Sequence, residues 1–319
     1  MNYPLNDQLQ LTPVPTTAAG SLAQAYAACE ALARSHYENF PVASMLLPKA
    51  MRPHIAAIFA FARRADDMAD EGTAPAAERR AALDSWRMRL HSAVNETASA
   101  VPRTVGLPQA TDELMLCATA ETIRTLDLPL QLFDDLVSAF AQDTTTTRYA
   151  SWDDVLDYCR RSANPVGRLV LRVAGFREAA LDRSSDALCT ALQLTNFWQD
   201  FGRDWRAGRL YVPREVQRLE GADEGQLSQA TLTDPWARTI ERCVGFTRQR
   251  FAEGRAVCDG VRGRLRAELR FTWLGGSRIL ERVERGRFAL LHRRPVVGAA
   301  DLPVLLWRAA LWTRGAVEL

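Results

Sequence analysis

Lysine is almost missing from this 319-residue chain: Lys49 is alone among 40 basic residues, and the rest are arginine, a skew that fits a compositional bias of the source. Histidine is scarce as well, and His36, His54, His91 and His292 share no ligand spacing, so they read as structural or surface residues. The six cysteines, Cys29, Cys117, Cys159, Cys189, Cys243 and Cys258, lie far apart with no C-x-x-C pair, which excludes a zinc cluster and a disulfide framework and fits a reducing, cytoplasmic setting. No basic stretch followed by an apolar run marks a secretory leader. The longest apolar stretch, Leu302 to Trp307 and then Ala309 to Trp312, is broken by Arg308 and falls short of the roughly 20 residues a spanning helix requires. No dinucleotide-binding glycine fingerprint is present. Net charge is scarce too: 40 basic against 38 acidic residues leaves +2, so general attraction to a polyanion, and with it nucleic-acid binding, is disfavoured.

What the chain has is apolar periodicity. With 47% hydrophobic and 24% charged residues it is an ordinary globular composition, long enough to bury a core around an internal cavity. From Ser21 onward apolar positions recur at three and four residues, and alternating strand-like runs are nearly absent, so the expected class is all-α. Helices are predicted over Ser21–Arg34, Pro53–Glu71, Ala76–Asn95, Thr111–Thr125, Leu130–Ala141, Trp152–Val173, Ser184–Trp205, Pro235–Cys258, Arg262–Arg285 and Pro303–Thr313. Residues 1–20 read as a polar, disordered tail and 21–319 as one helical domain, with no repeat or linker to divide it. Pro165, inside Asn164-Pro165-Val166-Gly167, should kink or break its helix, whether beside a cavity or as a simple loop.

Two rows of polar side chains stand out. In the segment from Phe59 to Gly72, Asp66 and Asp70 are four apart and stack on one helical face about 6 Å apart, with Arg63 a turn earlier. In the segment from Gln193 to Trp205, Asn196, Asp200 and Asp204 follow Gln193 at offsets of three, seven and eleven, again along one face, flanked by Leu192, Leu194, Phe197, Trp198 and Phe201. Both carboxylate pairs fall at C-terminal helix ends, where the macrodipole disfavours negative charge, and within each pair like charges repel. A helix selected for stability alone would not carry them there. Hard carboxylate and amide oxygens without cysteine or spaced histidine suit Mg²⁺, which prefers to share its coordination with phosphates. Two such helices facing one another would hold Mg²⁺ bridged to a diphosphate, with Arg63, Arg203 and Arg209 neutralising the leaving oxyanion and a long apolar cavity beyond.

These residues resemble the squalene/phytoene synthase family. The resemblance rests on Asp66 with Asp70, on Asp200 with Asp204 preceded by Gln193 and Asn196, on Gly208-Arg209-Leu210-Tyr211-Val212-Pro213 after them, and on Tyr158-Cys159 with Val166-Gly167. It covers about residues 20 to 290 and implies the all-α isoprenoid synthase bundle with a central cavity. Within the family, His36-Tyr37-Glu38-Asn39-Phe40-Pro41-Val42, Asn164-Pro165-Val166-Gly167-Arg168 and Asn196-Phe197-Trp198-Gln199-Asp200 look most like the bacterial hydroxysqualene synthases of hopanoid-type squalene biosynthesis. Such an enzyme takes presqualene diphosphate made by a sister synthase, ionises it and adds water. Coupling members, which condense farnesyl diphosphate head to head, usually carry a serine-bearing segment where this chain has Tyr37-Glu38-Asn39. They also place an arginine at the position of Gln199, and a tyrosine near Gly275-Gly276.

The resemblance implies Asp66, Asp70, Asn196, Asp200 and Asp204 as Mg²⁺ ligands, with the four aspartates and Tyr158 in catalysis. Arg63, Gln193, Arg203 and Arg209 would orient the diphosphate, while Phe40, Phe59, Tyr37 and Asn39 would line the substrate. Phe40, Phe59, Tyr158, Phe197 and Trp198 are the aromatics available to face a carbocation, or to pack in the core. Tyr37, Glu38 or Asn39 is expected to position water, with Tyr158 or Gln199 next in order. Arg282, Arg285, Arg287, Arg293 and Arg294 form either a patch for peripheral membrane contact or a solvated face. A non-catalytic helical scaffold is the competing class, and it gives no reason for acidic rows set against the dipole in apolar helices.

Overall fold

The computed structural model describes residues 18–35, 47–70, 74–96, 108–229 and 231–312. Thirteen α-helices run through them in chain order: α1 Ala18–Ser35, α2 Arg52–Asp70, α3 Ala76–Asn95, α4 Pro108–Leu126, α5 Leu130–Asp143, α6 Trp152–Ser162, α7 Asn164–Val173, α8 Ala179–Gln199, α9 Phe201–Arg206, α10 Arg214–Glu220, α11 Asp234–Gly260, α12 Gly263–Arg285 and α13 Leu302–Ala310. Among the described residues extended pairing is confined to one isolated bridge, Arg148 with Leu210. The all-α expectation holds. Most predicted spans agree to within a few residues, and α10 and the 3₁₀ turn Glu224–Ser228 were not foreseen.

Local chemistry explains the main breaks. Ser151 caps α6 by accepting from the Asp154 amide while the Asp154 carboxylate accepts from the amides of Ala150 and Ser151, a reciprocal capping box. The predicted helix Trp152–Val173 divides at Ala163, because Pro165 cannot donate an amide and starts α7 in its first turn. The predicted helix Ser184–Trp205 also divides, at Asp200, which leaves helical geometry with φ −93° and ψ 10°. Its ladder survives the kink, since the Asp200 amide donates to Asn196 and the Asp204 amide to Asp200, both at 2.9 Å. The offset of four between the two aspartates therefore keeps its meaning.

α8 is the central element, packed against α11, α12, α7 and α6, and α2 is clasped by α1, α3, α4 and α5. Four fully buried tryptophans fix these contacts, each finding an oxygen for its indole N–H: Trp86 to the Phe61 carbonyl, Trp198 to Thr247 Oγ1, Trp236 to the Asp223 carbonyl and Trp273 to the Phe251 carbonyl. Residues 290–291 run directly over α9. A Cβ on Gly202 would sit 2.2 Å from the Leu291 carbonyl oxygen, so only glycine admits this crossing. No helix among the described residues is long and apolar enough to cross a membrane.

Candidate active site

Four segments meet at one end of the bundle. α2 contributes Arg63, Asp66, Asp67 and Asp70; the end of α5 contributes Asp143; the α8–α9 kink contributes Asp200 and Asp204; the turn after α9 contributes Arg209 and Tyr211. Gly208 makes that turn with φ +81°, a left-handed conformation that favours glycine, and the Arg209 amide donates back to the Asp204 carbonyl at 2.8 Å. The turn is then stitched to the α5–α6 loop. The Leu210 amide donates to Thr147, the Arg214 amide to Tyr149, and Arg148 donates to the Gly208 carbonyl while forking onto Glu224 at 2.8 Å for both arms. This loop-to-loop docking aims Arg209 and Tyr211.

Arg209 joins the two acidic rows. Its guanidinium donates to Asp70 at 2.8 Å and lies close enough to Asp204 that each biases the charge of the other. Asp70 in turn raises the proton affinity of Asp204, which puts the α2 and α8–α9 rows within electrostatic reach of one another. Arg63 sits on α2 between Asp66 at 3.1 Å and Asp67 at 2.6 Å. Asp200 is paired by Arg294, which arrives from the far end of the chain. Burial pushes the Asp66 carboxyl up to about 6, with Arg63 only partly offsetting it and Asp70 and Asp67 adding to it. Asp204 is likewise pushed to about 6 by burial, opposed by Arg209 and reinforced by Asp200.

Asp143 carries no motif and was not singled out in the sequence. Burial pushes it to about 7, against the opposing hydrogen bond from the Tyr158 hydroxyl at 2.6 Å, and the charges of Asp70 and Asp66 raise it further. Its second oxygen is buried without a hydrogen-bond partner. The predicted helix Leu130–Ala141 stops short of it, whereas α5 runs to Asp143 and sets it at a C-terminal end, against the dipole like the other acids. Arg294, one of the arginines near the C-terminal end of the chain, pairs with Asp200 and does not stand free on a solvated or membrane-facing patch.

Beneath the carboxylates lies an aromatic floor. Tyr211 stacks on Phe197 at 3.8 Å and on Tyr149 at 5.6 Å, and Tyr158 packs on Phe197, Tyr149 and Tyr211 at about 6 Å. All four rings are buried, and burial keeps the phenols of Tyr149, Tyr158 and Tyr211 well above their ordinary values, hence neutral. Trp198 is elsewhere: it is a core residue facing α11 through Thr247. Phe59 is half-buried on α2, Gln193 half-buried on α8, and Asn196 and Arg203 are exposed. The Gln199 side chain is buried and donates to the Pro295 carbonyl at 2.6 Å. His54 belongs to a packed network with Tyr26 and Thr122, and His91 pairs with Asp134, as structural histidines do. His36, Tyr37, Glu38, Asn39, Phe40 and Gly72 lie outside the described residues.

The donor chemistry fits a divalent hard cation only in shared coordination. Among the described residues no three His, Cys, Asp or Glu side chains converge on one point. The acids come as pairs on α2 and at the α8–α9 kink, a donor set that would leave positions for water and phosphate oxygens on a shared cation. The carboxyls of Asp66, Asp143 and Asp204 are raised first by burial and further by neighbouring carboxylates, so a bound cation would favour their charged forms.

Residues 33–301 match the squalene/phytoene synthase family. A hydroxysqualene synthase of Zymomonas mobilis is 39% identical over 206 residues, 64% of this chain and 64% of that one, so the match spans less than two thirds of its length. A 15-cis-phytoene synthase of Synechococcus elongatus is 27% identical over 95% of this chain and 99% of its own. The crystal structure of a squalene synthase from Alicyclobacillus acidocaldarius superposes with a TM-score of 0.73 at 37% identity, covering 84% of this chain and 98% of that one. The helical bundle is thus the isoprenoid synthase fold expected from the motifs. With the two acidic rows, the Gly208–Pro213 turn and these likenesses in agreement, the chain belongs to the squalene/phytoene synthase family.

Proposed function

We propose that this protein converts presqualene diphosphate and water into hydroxysqualene and diphosphate, with Mg²⁺ as its cofactor. The observation that carries the reading is Arg209 standing between Asp70 and Asp204, which gathers two carboxylate rows into one anion-handling site above a buried aromatic floor. Asp66, Asp70, Asp200 and Asp204, with Asn196, would hold Mg²⁺, which when bound neutralises the departing diphosphate as a Lewis acid. Arg209 and Arg63 orient the diphosphate oxygens from within the rows, and the exposed Arg203 adds a third guanidinium at the rim.

Heterolysis of the carbon–oxygen bond leaves a cyclopropylcarbinyl cation. Phe197, Tyr158 and Tyr211, packed on one another, would wall the cation off from bulk water, so that one ordered water captures it. That water forms the new carbon–oxygen bond and loses a proton. Asp143, poised near neutrality and tied to the Tyr158 hydroxyl, is placed to take that proton. Gln199 adds no positive charge to the pocket, because it is neutral and its amide is spent on Pro295. This supports water capture over a second coupling partner, as does the likeness to the Zymomonas hydroxysqualene synthase.

The test supplies presqualene diphosphate and Mg²⁺ in ¹⁸O-labelled water. The expected product is a C30 alcohol bearing one labelled oxygen, at a rate unaffected by added nicotinamide cofactor. Farnesyl diphosphate supplied alone should give no C30 product. Squalene, presqualene diphosphate or a phytoene-type hydrocarbon from prenyl diphosphate alone would replace this reading with head-to-head coupling, and no diphosphate release from any of them would leave a scaffold.

A further inference from the structure

α13 is held firmly on one side and bare on the other. Leu305 and Trp312 are buried. The Trp312 ring lies 4.1 Å from the Arg255 guanidinium and 5.1 Å from that of Arg270, meets Trp273 edge-on at 5.4 Å, and donates its indole N–H to Asp259 at 3.0 Å. Arg308 is fastened to Glu281 at 2.7 Å. On the other side Leu302, Leu306, Trp307 and Leu311 are 52%, 50%, 64% and 56% exposed. Their spacing of four, one and four residues gathers them on one helical face. Isolated exposed leucines are ordinary in folded proteins, but four large apolar side chains side by side on an anchored helix form a surface that asks for a partner.

Charge and position indicate which partner. Between residues 278 and 312 seven arginines stand against three carboxylates. Arg278, Arg282 and Arg308 pair with Glu281 and Asp301 and Arg294 pairs with Asp200, so the outward positive charge rests mainly on Arg285 and Arg293. Arg285 is 69% exposed and Arg293 is exposed. A second copy of this chain laid face to face on α13 would bring the two arginine clusters together, which costs like-charge repulsion. An anionic lipid surface is complementary in both respects, taking leucine and tryptophan at the headgroup boundary and arginine at its phosphates. The segment leading into α13 also touches the acidic site, through Arg294 on Asp200 and the Pro295 carbonyl on Gln199.

We propose that the exposed face of α13, flanked by Arg285 and Arg293, docks this protein on the surface of an anionic lipid bilayer. Docking stands on the surface alone. Its purpose, delivery of a long-chain diphosphate without a passage through water, rests on the function proposed above.

Co-sedimentation of the full chain, without substrate, with vesicles of phosphatidylcholine alone or mixed with phosphatidylglycerol tests the docking. The protein should pellet with the mixed vesicles and far less with the neutral ones, and added salt should release it. Leu306→Ser with Trp307→Ser should lower the bound-to-free ratio by roughly tenfold or more, while thermal melting and diphosphate release from detergent-dispersed substrate stay at the parental level. Arg285→Gln with Arg293→Gln should remove the preference for anionic vesicles. Parental protein remaining in the supernatant, or a serine double variant that pellets as well as the parent, would overturn the proposal. So would a parental dimer, unable to bind vesicles, that the serine substitutions convert to monomer. Because vesicle binding is read without turnover, an inactive preparation that still pellets would count against the proposed reaction and not against the docking.

Discussion

The same Asp-x-x-x-Asp spacing is built in two different ways in this molecule. On α2, Asp66 and Asp70 ride an unbroken helix, and Arg63 on that helix supplies the counter-charge to Asp66 and Asp67. At the α8–α9 junction the helix kinks at Asp200, and what steadies the row comes from elsewhere. Arg294 pairs with Asp200, Gln199 donates to Pro295, Arg206 donates to the Leu291 carbonyl at 2.6 Å, and Gly202 passes under that carbonyl. Asp66 is organised within its own helix and Asp200 by tertiary contacts with residues 290–295, while Arg209 holds Asp70 from the turn after α9. Damage to the C-terminal segment should therefore reach the second row and spare the first.

The largest effects should come from the acids. Asp66→Asn and Asp200→Asn should each lower Mg²⁺-dependent diphosphate release by roughly 10²- to 10³-fold or more, since each removes a hard oxygen from the site where charge develops. Their stabilities should differ. Asp66→Asn relieves repulsion from Asp67 and Asp70 and should hold or raise the melting temperature. Asp200→Asn strands Arg294 and should gain nothing. Equal melting shifts in the two variants would break the contrast. Arg209→Gln, which strikes both rows at once, should cost about 10²-fold in turnover with a raised KM for the diphosphate substrate.

Gly202→Ala should be milder in chemistry and clearer in stability. The added methyl meets the Leu291 carbonyl and forces the overlying segment away, a misfit of about 1–3 kcal/mol. That corresponds to a few degrees in Tm for a chain of this size. Because Arg294 and Pro295 follow in the same segment, Gly202→Ala should weaken Mg²⁺ and diphosphate binding, whereas an equally destabilising change in α3, such as Leu83→Ala, should not.

The smallest expected effect is a pH dependence. Asp66 and Asp204 near 6 and Asp143 near 7 hold protons more tightly in the folded chain than carboxyls at their ordinary value of about 4. Their contribution to stability is thus complete below about pH 4 and is lost as pH rises through 6 to 7. Without metal the melting temperature should fall between pH 5 and pH 8, and the rise produced by added Mg²⁺ should be larger at pH 8. A chelated protein with a flat profile across this window would contradict the raised carboxyls at Asp66, Asp143 and Asp204.

Much of this contrast is written locally in the chain. Asp66, Asp70, Asp200 and Asp204 are legible because helical spacing and the adverse dipole act within a few residues, and the break at Ala163 is legible because Pro165 acts on its own turn. Asp143 was not, since its raised proton affinity arises first from burial and then from Asp70 and Asp66 on α2, against the Tyr158 hydrogen bond, and no spacing encodes these. Nor was the pairing of Arg294 with Asp200, or the assignment of Trp198 to the core in place of the pocket, for both depend on how distant helices cross. The kink at Asp200 is not written locally either: no proline marks it, and the crossing at Gly202 depends on residues 290–291.

Thermal melting with Mg²⁺ and inorganic pyrophosphate together reads most directly whether the two rows act as one site. The parental protein should show a rise that neither ligand gives alone. Asp66→Asn should abolish the whole rise, Asp200→Asn should abolish the whole rise, and the double variant should be no worse than either. Single variants that each keep about half of the rise, with the double variant losing it all, would mean two independent sites and would contradict the account.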